Sequence, residues 1–125
     1  MCTLLVAINP VHVGNIMTGK KKYEYRKVMP SRCPGRMLIY STWPEMKVVG
    51  VADIDGILEG EPSEIWNETK LASGITKRFF DEYYSGHKKA VAYRLSNVVR
   101  FKEPKSLESY GIRQAPQSFV YLHED

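Results

Sequence analysis

The sequence predicts an α+β domain in which a curved or closed sheet carries its helices at one side. Three observations lead there. Strand-like and helix-like stretches follow one another in the order β-α-β-β-β-α-α-β-β. The long run from Val48 to Leu58 contains Gly50 and Gly56, positions where a strand bulges or bends. The 125 residues, 43% hydrophobic and 26% charged, suit one globular domain with a sizeable core.

The elements read as follows. Thr3 to Ile8 is β-branched and aliphatic and ends at Asn9-Pro10, whose proline fits the first turn of a helix. Val11, Ile16 and Met17 form the apolar side of that helix, and Gly19 stops it after Thr18. From Lys21 to Val28 the pattern alternates, with Tyr23 and Tyr25 on one face and Lys22, Glu24 and Arg26 on the other, about 7 Å apart per two residues. Arg32-Cys33-Pro34-Gly35 is a turn, and Arg36 to Thr42 a strand. After the strand at 48–58, Glu61-Pro62-Ser63-Glu64 opens a second helix containing Ile65 and Trp66. Ser73 to Thr76 opens a third, running through Phe79, Phe80, Tyr83 and Tyr84 to Gly86. Their spacing reads as core packing. Ala90 to Phe101 is the last long strand, Glu103 to Gly111 a loop with a short helix, and Ser118 to Leu122 a closing strand.

Bulk chemistry narrows the function classes. A net charge of +4 leans toward an anionic partner, and the bias is local: Lys20, Lys21, Lys22, Arg26, Lys27, Arg32 and Arg36 share a stretch with a single acid, Glu24. No apolar run approaches the ~20 residues of a membrane span, so no membrane partner is expected. Cys2 and Cys33 are the only cysteines and lack metal-ligand spacing, which fits a reduced, cytoplasmic setting. His12, His87 and His123 are scattered, so no metal and no cofactor is expected, although His12 is one helix away from the lysines.

The string Gly19-Lys20-Lys21-Lys22-Tyr23-Glu24-Tyr25-Arg26, directly after the first helix, resembles the G-x-K-x-x-E-x-R signature of ASCH domains. Leu38 to Thr42 and Val48 to Ala52 resemble core strands of that family, and Pro116-Gln117-Ser118-Phe119 a closing motif of its small prokaryotic and phage members. The resemblance covers nearly the whole chain. It implies a PUA-like curved barrel of about six strands with two to three helices, and a cleft beside the first helix. It also implies RNA-related roles, since family members include ribonucleases and a hydrolase that deacylates N4-acetylcytidine. That hydrolase uses a lysine, a threonine and a glutamate; its lysine corresponds to Lys21, whereas its threonine position holds Glu24.

These readings nominate a ligand-binding set: Lys21, Lys22, Glu24 and Arg26 in a basic cleft, Tyr40 and Trp43 for base stacking, and Ser41, Thr42, Gln117 and Ser118 as hydrogen-bonding groups. Tyr93 is a further stacking candidate at a strand end. The expected partner is RNA or a nucleotide-like small molecule. The alternative is an amidohydrolase acting on a modified nucleoside, with Lys21 as base or nucleophile and Glu24 as proton shuttle. Contact of the same basic surface with a protein is a third reading.

Overall fold

The computed structural model describes residues 2–122. Its strands are β1 (Cys2–Ile8), β2 (Tyr23–Arg26), β3 (Pro34–Ser41), β4 (Lys47–Gly60), β5 (Ala90–Lys105) and β6 (Phe119–Leu122). They form one sheet in the order β2-β5-β4-β3-β1-β6. β1 and β3 run parallel, and the other neighbours are antiparallel. The parallel pair requires a crossover, supplied by α1 (Pro10–Met17) and β2. Two further helices, α2 (Pro62–Thr69) and α3 (Lys77–Tyr83), lie between β4 and β5. This is the expected architecture and element order.

Alternation along β1 and β3 divides the core. Leu4, Val6, Ile8, Met37 and Ile39 pack with Val13 and Ile16 of α1 on one face, while Leu5, Leu38 and Tyr40 pack with Val48 on the other. A third cluster joins Tyr25, Ala90 and Ala92 to Ile65, Phe80 and Tyr84 of the helices. The β4–β5 register shifts between Val48 and Gly50, Val51 and Asp53, and Ile54 and Gly56, so β4 bends at both glycines.

Several boundaries differ from the sequence reading. Pro34 and Gly35 belong to β3 rather than to a turn, because β1 supplies a parallel partner from Cys2 onward. α3 starts at Lys77, where the Thr76 hydroxyl caps the Phe79 N–H; Lys70–Ala72 forms a separate 3₁₀ turn. β5 continues to Lys105 because β4 pairs with it that far. β2 shrinks to Tyr23–Arg26, with Lys21 making only an isolated bridge to Ser73. His123 lies outside the described residues.

The Gly50 bend is close-packed: a Cβ there would lie 2.5 Å from the Val99 carbonyl oxygen and 2.7 Å from Met17 Cε. Gly50→Ala is expected to lower stability by roughly 1–3 kcal/mol, read as a lower urea midpoint. An unchanged midpoint would show that the bend yields freely.

Candidate functional site

The β2 strand and its approach bring three charged side chains under cover. Lys21 is 3% exposed and Glu24 is 6% exposed. Lys21 Nζ donates to the Ser73 carbonyl at 3.2 Å, sits 3.9 Å from Glu24 Oε1 and lies 4.6 Å from the Tyr25 ring centroid. Glu24 Oε2 is 2.8 Å from Arg26 Nη2. Arg26 also donates to the Ala7 carbonyl at 3.1 Å and the Ser118 hydroxyl at 3.3 Å, tying β2 to β1 and to the approach of β6. Its Nε is buried without a partner.

Local backbone explains why Lys21 points inward. Its N–H donates to the Asn15 carbonyl at the end of α1, and its stem packs against Gly74. Gly74 has φ +67°, and any side chain there would collide with Lys21 Cβ. Lys22 then turns outward: its N–H donates to the Ala72 carbonyl and its carbonyl accepts from the Leu95 N–H, so strand alternation begins only at Tyr23.

These groups line a cavity of about 200 Å³ together with Ala7, Ile8, Asn9, His12, Tyr25, Ile75, Phe79 and Tyr83. The volume is below the ~300–1,000 Å³ of sites for drug-sized ligands, so it suits one small moiety. Burial lowers the pKa of Lys21; Glu24 opposes the shift and Arg26 adds to it. His12 is also lowered, mainly by desolvation and then by the charge of Lys21, and its ring meets Phe79 edge-on at 5.1 Å. The cavity thus offers cationic donors, one carboxylate acceptor, a neutral imidazole and aromatic walls.

Not every nominated residue is here. Lys21, Glu24 and Arg26 meet at the cavity, and Ser118 reaches it through Arg26. Lys22 is exposed and lines a separate depression with Ile16, Thr18 and Asn97. With Glu24 beside Lys21 and Arg26, the cavity lining is mixed in charge. Tyr40 is 2% exposed in the cluster on the sheet's other face, where no base can stack on it. Ser41 is buried with an unpartnered hydroxyl, Thr42 donates its N–H to the Ile8 carbonyl, Trp43 is 77% exposed on the following turn, and Gln117 is exposed. None of these four lines the cavity. Tyr93 is fully buried, with its phenol pushed up to about 12 by desolvation.

The sequence pattern reads Phe79 and Tyr83 as core; Tyr83 does pack against the Tyr25–Phe80–Tyr84 cluster while also lining the cavity, whereas Phe79, 45% exposed, lines the cavity outside that cluster. The signal was the double i, i+4 pattern on α3: Phe80 and Tyr84 form one stripe, Phe79 and Tyr83 the next. Phe80 and Tyr84 are buried, Tyr83 is half-buried against them, and Phe79 is exposed.

Comparison with known proteins agrees with the fold. The sequence matches the ASCH domain over residues 6–105. The chain belongs to the ASCH domain family. Its fold superimposes on the crystal structure of ASCH from Zymomonas mobilis with a TM-score of 0.88 and 25% identity, covering 98% of this chain and 88% of that one. It is 26% identical over 125 residues to the ASCH domain-containing ribonuclease of Zymomonas mobilis, covering 97% of this chain and 84% of that protein. It is also 31% identical over 121 residues to the large ribosomal subunit protein uL22 of Ureaplasma parvum serovar 3. That match takes in 96% of this chain but only 39% of the uL22 protein. Of the ASCH signature residues, Lys21 and Glu24 are buried and Arg26 is partly buried where they line the cavity.

Two outcomes follow from this geometry. Arg26→Ala leaves Glu24 buried without its guanidinium and is expected to cost about 3–5 kcal/mol in urea unfolding. Arg26→Lys should recover only part of that, because a lysine cannot reach all three acceptors at once; full recovery would argue against the multidentate role. For His12 the folded pKa lies below 6.5, so its contribution to stability is present above pH 6.5 and is lost as pH falls through the lowered value. His12→Gln should therefore flatten the decline in Tm between about pH 7.5 and 5. Parallel declines in the two proteins would place the acid sensitivity elsewhere.

Proposed function

We propose that this chain binds RNA by taking one unpaired base into the cavity between α1, β2 and α3. The observation that carries this reading is the buried Lys21–Glu24–Arg26 constellation opening onto a small, aromatic-walled space. Lys21 and Arg26 supply donors for carbonyl or phosphate oxygens, and Glu24 Oε1 supplies an acceptor for an exocyclic amino group. Unpaired bases are held in this way, by edge hydrogen bonds between aromatic rings. RNA as the partner is supported by family membership and by the name of the Zymomonas mobilis relative.

A second reading, cleavage of the bound strand, is favoured by that relative's designation as a ribonuclease. His12, kept neutral, is a proton acceptor beside two cations that stabilise a developing charge on phosphate. Deacylation of a modified nucleoside is less well supported. Glu24 stands at the position of the threonine that the resembling hydrolase uses, and it is ion-paired to Arg26.

The deciding experiment titrates the protein with single-stranded RNA, duplex RNA and free nucleosides, N4-acetylcytidine among them, at two salt concentrations. Single-stranded RNA is expected to bind best and to weaken as salt rises. Glu24→Gln, which keeps the shape and removes the charge, is expected to weaken RNA binding by roughly tenfold or more, the worth of one charge-assisted hydrogen bond. Shorter fragments in the same mixtures would add cleavage. Equal binding of duplex and single strand would overturn the unpaired-base reading.

A further inference from the structure

Building on the RNA-binding reading above, we propose that the cavity is selective for a phosphorylated nucleotide over an uncharged nucleoside, with Phe79 stacking the base at the mouth and Lys27 holding the phosphate. The charge on the cavity wall is the first reason. Lys21 and Arg26 face a single carboxylate, Glu24, and His12 is held toward its neutral form, so the lining keeps one positive charge in excess. A buried excess charge is costly unless something neutralises it. An uncharged nucleoside fills the space without meeting that charge; a phosphate meets it.

Lys27 is the second reason. It is exposed directly after β2, and its Nζ lies 4.5 Å from the centroid of the Tyr83 ring, one of the cavity's walls. Among the described residues it has no carboxylate within ion-pair distance, unlike Lys77, Arg78, Lys89 and Arg94, which all do. The aromatic contact positions the ammonium at the rim and leaves N–H groups free to donate to phosphate oxygens. Arg26 Nε, buried and unpartnered, is a further donor beside the same space.

Phe79 is the third. It is 45% exposed, although its α3 neighbour Phe80 is buried. It meets His12 edge-on with an interplanar angle of 69°, which leaves ring surface open to solvent. A large aromatic left half-exposed at the rim of this largely apolar cavity is a stacking platform.

The test is calorimetric titration of wild type, Lys27→Ala, Phe79→Ala and Phe79→Tyr. The ligands are the four common ribonucleosides, their 5′- and 3′-monophosphates and a short single-stranded RNA, at about 50 and 200 mM salt. Both positions are exposed, and matching melting temperatures confirm that the variants are folded. For wild type, one monophosphate series is expected to bind roughly tenfold tighter than the nucleosides. Lys27→Ala should cut that gain severalfold, leaving the share due to the cavity charge, and reduce the salt slope for RNA by about one. Phe79→Ala should weaken every ligand by about tenfold, with Phe79→Tyr restoring affinity. Nucleosides binding as tightly as monophosphates, or a phosphate gain undiminished in Lys27→Ala, would overturn the proposal while leaving RNA binding intact. Absence of binding to every ligand would remove the RNA reading and this proposal together.

Discussion

The Arg26 guanidinium spans the open side of the sheet. It sits on β2, one edge of the sheet, and donates to the Ala7 carbonyl on β1 and the Ser118 hydroxyl just before β6 at the other edge. No backbone ladder joins β2 to β1 or β6. Side chains perform that closure instead. Tyr121 of β6 adds to it by accepting the Arg32 N–H, contacting the Ser31 hydroxyl and stacking under the Arg32 guanidinium. On the other flank the Tyr84 hydroxyl donates to the Arg26 carbonyl at 2.8 Å, so α3 is fastened to the same strand end. A seam made of side chains leaves a gap where a backbone ladder would leave none, and the cavity occupies that gap.

Because Arg26 is partly buried, it needs a counter-charge, and Glu24 two residues earlier on the same strand face provides it. Glu24 in turn stands beside Lys21, whose ammonium is desolvated against the Ser73 carbonyl and the Tyr25 ring. Each member lessens the desolvation cost of the next. The spacing of the signature is the consequence: a lysine brought in by a turn, then a carboxylate and a guanidinium on alternate residues of a short strand. Gly74 belongs to the same arrangement, since the lysine stem occupies the space that a side chain there would fill.

The family relationship fits this division between scaffold and cavity. The matched region extends over residues 6–105, from β1 through β5, and includes every lining residue of the cavity. The 121 residues aligned with the uL22 relative amount to 39% of that protein, so the matching region there is one part of a longer chain.

The fold and the core of the cavity were both legible in the amino-acid order. Binary patterning and turn residues depend on near neighbours, so Gly50 and Gly56 marked the bends of β4 and Asn9-Pro10 the start of α1, alternation put Lys22, Glu24 and Arg26 on one face, and the resemblance to the ASCH signature singled out Lys21. The rest was a matter of which side of an element meets its neighbour, and that depends on contacts distant in sequence. The alternation of β3 is the same whichever face turns toward α1, so the assignment of Tyr40 to the opposite face came from its pairing with β1. The two aromatic stripes of α3 were equivalent in sequence until docking on β2 and β5 buried Phe80 and Tyr84 and turned Phe79 and Tyr83 to the cavity. Lys21 and Lys22 differ only in how the chain enters β2, where bonds to Asn15 and Ser73 draw one inward and those to Ala72 and Leu95 leave the other in water. Short-range pattern specified the elements and their chemistry; long-range packing chose which surfaces became the site.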